Sequence, residues 1–167
     1  MNAGPGAEGR REPPSPLVLG VGNYLLGDEG VGVHAARELL EAGAPEGVTV
    51  LDGGTGGFHL LSLFQDYDPI ILIDATMDGE PAGTVRLLHP KFASDFPRTL
   101  SAHDIGLRDL LESAALLGPL PELYLITVSI DQLQSMSLEL TPQVRGAIPA
   151  VLQAVRQFLE GGPLRGP

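Results

Sequence analysis

Residues 17–32 read Leu-Val-Leu-Gly-Val-Gly-Asn-Tyr-Leu-Leu-Gly-Asp-Glu-Gly-Val-Gly. A short apolar run ends in a glycine-punctuated turn that delivers two acids, Asp28 and Glu29, to the head of an amphipathic pattern. A strand, a tight turn and a helix in this order are the opening unit of an open α/β sheet, whose sites gather at the carboxyl ends of the strands. Two later acids end similar apolar runs, Asp52 after 48–51 and Asp74 after 70–73. If the three strands lie side by side and parallel, Glu29, Asp52 and Asp74 meet along one edge. That convergence points to a metal or proton-transfer site.

The rest of the chain continues the alternation. Strand-like runs at 17–22, 48–52, 69–74, 83–89 and 123–129 are separated by helical patterns, which predicts a mostly parallel sheet covered on both faces. The first helix carries Val33, Ala36 and Leu40 as its apolar stripe, with Asp28 as N-cap and Gly43 as stop. The second buries Leu107, Leu110, Leu111, Ala114 and Leu117. The last follows Thr141-Pro142, a cap and first-turn pair, and carries Val144, Ile148, Val151, Val155 and Leu159 on one face. Pro149 inside it predicts a kink or the true helix start. A shorter helix is expected at 60–64. Only residues 77–82 separate the third and fourth strands, too few for a helical crossover. The fourth strand is therefore expected to run antiparallel, giving a mixed five-stranded sheet.

Composition narrows the function classes. A chain of 167 residues, 43% hydrophobic, fits one domain with a real core, expected at 17–160. Residues 1–16 and 161–167 offer almost nothing to bury and are expected to be disordered tails. The net charge of −11, with Lys91 the sole lysine, argues against nucleic acid, which demands clustered cations. Cysteine is absent, which excludes a thiol nucleophile, thiolate metal ligands and disulfides. No apolar run approaches the ~20 residues that cross a bilayer, so no membrane insertion is expected. Arg10-Arg11 is followed by Pro13, Pro14 and Pro16 rather than by the apolar segment of an export signal. The expectation is a cytoplasmic protein.

Each candidate has a plainer reading beside the functional one. Glu29 at a helix start complements the helix dipole, yet a cap at Asp28 leaves it able to face a cleft. Asp74 at the end of a buried run must be paired, hydrogen-bonded or metal-bound. Asp52 opens Asp-Gly-Gly-Thr-Gly-Gly, where glycines permit either a tight turn or close backbone approach to a substrate. His103 precedes the second helix in phase with its buried stripe and should face the sheet. His34 falls on a charged helix face and is expected in solvent, His59 is a reserve candidate, and His89 before Pro90 reads as a surface strand end. Two carboxylates and one imidazole suit a divalent ion such as zinc or nickel. Neither a His-Glu-x-x-His pair nor a Gly-x-Ser-x-Gly elbow is present.

Four ordered motifs carry a resemblance: Gly20-Val-Gly-Asn-Tyr-Leu-Leu-Gly-Asp-Glu-Gly-Val-Gly, Asp52-Gly-Gly-Thr-Gly-Gly, Ile73-Asp-Ala, and Ser101-Ala-His-Asp-Ile-Gly-Leu. With the weaker Leu138-Glu-Leu-Thr-Pro they span nearly all of 17–160, and the chain resembles the maturation endopeptidases of [NiFe] hydrogenase. The resemblance implies a three-layer α/β/α sandwich with one antiparallel strand. It also implies an aspartate- or metal-dependent endopeptidase that removes the C-terminal extension of the hydrogenase large-subunit precursor after nickel insertion. By motif match, Glu29, Asp74 and His103 fall on the metal-binding positions, with Ni2+ brought by the substrate and Zn2+ or Cd2+ as substitutes. Asp52 is the candidate for orienting water. Many members carry Asp-Asp-Gly where this chain has Asp28-Glu29-Gly30, and either acid can ligate. The segment Val128-Ser-Ile-Asp-Gln departs from the glycine- and proline-containing form expected there.

Two other readings remain open. A dinucleotide-binding domain needs a third glycine where Leu25 stands, and acids at 28 and 29 repel a pyrophosphate. A non-catalytic nickel-binding maturation chaperone of the same fold would carry the same ligands and differ only in cutting no bond.

Overall fold

The computed structural model describes residues 12–55, 57–97 and 107–161. The expected tails fall largely outside them. The sheet begins where the apolar pattern does, with β1 (Leu17–Gly20), followed by β2 (Thr49–Asp52), β3 (Ile70–Thr76), β4 (Val85–Leu88) and β5 (Leu123–Ser129). Helices α1 (Val31–Glu41), α2 (Leu63–Asp66), α3 (Leu107–Leu117), α4 (Pro142–Arg145) and α5 (Ile148–Gly161) connect or follow them.

The strand order is β2-β1-β3-β5-β4. The first four in that order are mutually parallel, and β4 is antiparallel to β5. The short third connection thus does what its length dictates. Strands β3 and β5 are buried at every position, as expected for near-continuous apolar runs covered on both faces.

Side chains alternate between the two faces. Val18, Ile71, Ile73, Ile126 and Val128 pack with α1 and α5. Leu17, Leu19, Leu72 and Leu125 pack with α3, Phe64 and Phe96. Each layer of helices thus has its own core on a shared sheet.

Several local expectations are corrected. Asp28 does not cap α1; a 3-10 turn over Gly27–Gly30 precedes the helix, whose N-cap is Gly30 without a side-chain bond. The α1 stripe is rotated, with Leu39 buried and Leu40 exposed, and His34 is buried rather than solvated. Ser15 and Pro16, assigned to the tail, accept backbone bonds from Asp68 and Thr49 and are tied into the body. At the carboxyl terminus Pro149 lies in the first turn of α5, where its missing amide costs nothing. The short helix expected at 60–64 resolves into a 3-10 turn at Phe58–Leu60 and α2.

Two glycines seat α1 on the sheet. A Cβ on Gly20 would lie 2.1 Å from the Gly32 carbonyl oxygen, and one on Gly32 would lie 2.2 Å from that of Ile73. Only bare backbone permits this approach, and it sets the head of α1 directly over the ends of β1 and β3.

Candidate active site

Backbone hydrogen bonds gather three strand ends at the carboxyl edge of the sheet. Val21 N–H donates to Ile73 O (2.9 Å), Gly53 N–H to Gly20 O (2.8 Å) and Gly22 N–H to Gly54 O (2.7 Å). The Gly27–Gly30 turn packs against β3 at this edge. It carries Glu29, which is 1% exposed.

Asp74, also 1% exposed, lies inside β3 rather than at its end, because Ala75 and Thr76 still pair with Val128 and Ser129. Its Oδ1 accepts the Ala75 N–H at 2.8 Å. By the two-residue repeat, Asp74 and Thr76 continue the face that Ile70 and Leu72 present to α3, and Thr127 and Ser129 continue it on β5. In register, Asp74 pairs with Thr127 and Thr76 with Ser129. The apolar stripe beneath α3 is thus replaced at its carboxyl end by four buried polar side chains. The Ser129 hydroxyl has no hydrogen-bond partner among the described residues.

Helix α3 ends at Leu117, which lines a cavity with Tyr67 and Asp68 at the opposite edge. Its first turn therefore points toward the polar carboxyl end. His103 belongs to the segment that leads into that turn and lies outside the described residues, as does the question of its place in a ligand set. Among the described residues no group of three or more His, Cys, Asp and Glu is arranged to hold a metal ion. Glu29 and Asp74 are the two predicted ligands that the fold brings to one edge.

Asp52 reaches the same edge, opposite Gly20 in register, but its oxygens are committed. Oδ2 takes both Nε and Nη2 of Arg37 at 2.9 Å, and Oδ1 accepts the Gly54 N–H at 2.9 Å. Arg37 in turn lies over the Tyr24 ring, 4.1 Å from its centroid. To orient water, Asp52 must first release this arginine.

Asp28 is buried and accepts from the loop after β5. Its Oδ1 takes the Thr141 N–H at 2.7 Å; its Oδ2 takes the Thr141 hydroxyl at 2.8 Å and the Gln134 amide at 3.2 Å. Gln134 Oε1 accepts the Asp28 N–H at 2.9 Å in return. His34 packs on Tyr24, with ring centroids 4.7 Å apart. Burial lowers its pKa, helped by Arg145 and Arg37, against the opposing pull of a hydrogen bond with the Leu138 backbone and of Asp28. The other histidines stand elsewhere. His59 is exposed, and His89 bonds Glu122 at 2.7 Å and stacks on Tyr124 at the opposite edge.

Sequence reasoning missed the Asp28 latch and the Thr76, Thr127 and Ser129 set. For the latter a signal existed: polar residues at alternate positions of an otherwise apolar strand, as in Ile-Thr-Val-Ser. The latch had none, since its partners are over a hundred residues apart.

An open α/β sheet with two buried carboxylates at its carboxyl edge places them where such folds build their ligand sites, and comparison with known proteins gives the fold a family. A profile of the HycI hydrogenase maturation proteases matches residues 33–157. The hydrogenase expression/formation protein HupD of Rhizobium leguminosarum bv. viciae is 39% identical over 155 residues, covering 88% of this chain and 76% of that protein. The hydrogenase 2 maturation protease of Escherichia coli K12 is 35% identical over 150 residues, covering 87% and 92%. Among solved structures, the hydrogenase maturating endopeptidase HybD from E. coli superposes with a TM-score of 0.76 at 34% identity, covering 89% of this chain and 94% of that one. The chain belongs to the hydrogenase maturation protease family, a family of peptidases.

Proposed function

We propose that this peptidase removes the C-terminal extension of a [NiFe] hydrogenase large-subunit precursor after nickel has been inserted, and that it recognises the precursor through that nickel. The observation that carries the reading is the burial of Glu29 and Asp74 at one sheet edge, on separate elements, with His103 in the segment leading to the helix above. Two carboxylates and an imidazole are suitable donors for a borderline divalent ion. In this reading the metal arrives as part of the substrate, and Zn2+ or Cd2+ can stand in for it on the free enzyme.

The chain's own residues then have simple tasks. Glu29, Asp74 and His103 complete the coordination of the substrate's nickel and so hold the scissile bond beside the edge. A coordinated cation polarises a carbonyl or activates water. Hydrolysis adds water across the peptide bond: hydroxide goes to the acyl carbon, a proton to the leaving amine. Asp52 orients that water if Arg37 moves aside. The absence of helices long and apolar enough to span a membrane, among the described residues, is compatible with action on a precursor in the cytoplasm.

The test is to incubate the purified protein with nickel-loaded and nickel-free precursor and to follow the released peptide. Only loaded precursor should be cut. Glu29→Gln and Asp74→Asn should each lower turnover by about a hundredfold or more while keeping the native circular dichroism, because each removes a charge and preserves shape. Efficient cutting of nickel-free precursor by the wild type would overturn recognition through the metal. Binding of loaded precursor without any cutting would favour a chaperone.

A further inference from the structure

The loop that follows β5 tucks Ile130 and Leu140 into the core at its two ends and carries the apolar side chains between them on the outside. Leu133, Met136 and Leu138 are exposed, and so is Leu25 on the glycine-rich turn beside them. Met136 is 82% exposed and holds φ at 49°, the only non-glycine residue described with a positive φ. A methionine in the left-handed region is strained, because its Cβ crowds the following carbonyl oxygen. Surrounding structure must hold a residue in such a conformation.

That structure is present. Gly27 N–H donates to Ser137 O (2.7 Å), Ser137 N–H donates to Leu25 O (2.8 Å), and Leu26 and Ser137 form a β-bridge. Gln134 and Thr141 hold Asp28 from both sides of the exposed segment. The loop is fixed on the turn that carries Glu29. Its only charges over 131–141 are the exposed Asp131 and Glu139. An exposed apolar cluster with an acidic rim marks a protein-binding surface.

We infer that this loop is the docking element for the substrate, and that Leu25, Leu133, Met136 and Leu138 receive an apolar segment of the precursor flanked by lysine or arginine. The inference rests on the proposed function, which supplies a protein substrate. The argument for that occupant is continuity with the candidate site: the residue following Asp28 is Glu29, so a segment seated on the loop is led to the acidic edge. Charge favours it as well, since Asp131 and Glu139 select a basic border. A loop already held in its binding conformation loses little entropy on docking, and methionine adapts its shape to a varied apolar partner.

Met136→Ser/Leu138→Ser tests the surface, with Met136→Leu as conservative rescue and Leu116→Ser, an exposed leucine on α3, as control. The assay measures kcat and KM on nickel-loaded precursor. A second measurement is the Kd of that precursor for the cleavage-disabled Glu29→Gln protein with and without the loop changes. The expected result is about a tenfold or larger rise in KM and Kd for the double variant, with kcat and melting temperature near wild type and both single variants unaffected. Unchanged KM and Kd, with the wild type active, overturn the docking role alone. Loop variants that only dissociate a wild-type dimer, with KM intact, also overturn it by assigning the surface to a second copy. A wild type that neither binds nor cuts the precursor removes the proposed function, and the docking role with it.

Discussion

Asp28 and Glu29 are adjacent acids with separate duties. Both are buried, yet Asp28 spends its oxygens on Thr141 and Gln134. Its replacement by alanine leaves those donors unpaired, each unsatisfied group costing about 1–3 kcal/mol where burial is complete. Asp28→Ala should therefore lower stability by about 2–4 kcal/mol in urea unfolding, whereas Glu29→Gln should cost turnover far more than stability. His34 gives a pH signature of its own. Burial first, then Arg145 and Arg37, hold its folded pKa below the ordinary 6.5. The unfolded chain thus binds more protons between the two values, and stability rises with pH across that window. The contribution is complete above 6.5 and is lost as the pH falls toward the folded value. Unfolding free energies measured at a series of pH values should fall on that side for the wild type and less steeply for His34→Gln. An unchanged slope would show that other groups carry the acid sensitivity.

At the scale of elements, the acidic edge depends on how closely α1 approaches the strands. The backbone contacts of Gly32 with Ile73 and Val21 leave no room for a side chain. Carbonyl oxygens in a strand cannot swing away as a flexible side chain can, so Gly32→Ala should cost about 3 kcal/mol or prevent folding. Gly118, after α3, has nothing within 4 Å of its missing Cβ. Gly118→Ala should be neutral or stabilise by about 0.5 kcal/mol through the unfolded chain. Thermal melts of the two variants give the contrast directly. The elements themselves were largely legible. Strand β5 has the very bounds its pattern predicts, and α3 buries Leu107, Leu110, Leu111 and Ala114 as expected, but Leu117, expected in the same stripe, is exposed at the helix end. The α1 stripe was not, because Ala35, Ala36 and Leu39 all pack inward while Leu40 stays out. In a helix buried against both β1 and β3, apolar residues on adjacent positions give periodicity no unique phase.

Across the whole molecule, the two cores share one sheet: odd positions of β1 and β5 serve the α3 side, and even positions the α1 and α5 side. Neither layer keeps its partner surface if the sheet is lost. Unfolding should be a single cooperative transition, with far-ultraviolet and tyrosine circular dichroism changing together. Separate transitions would mean that one layer melts on its own. The sequence by itself determined the strand and helix order, the antiparallel fourth strand and the family, because these depend on local periodicity, connection length and residues close along the chain. It also placed Glu29 at the head of the first helix, and it put Asp74 at the end of β3, where the strand in fact continues to Thr76. Tertiary structure alone decided which long-range partners hold the polar side chains near that edge: Asp28 is taken by Thr141, Asp52 by Arg37, and His34 is drawn under Tyr24. Those choices are made by partners distant in sequence, and a pattern read along the chain carries no record of what lies across it.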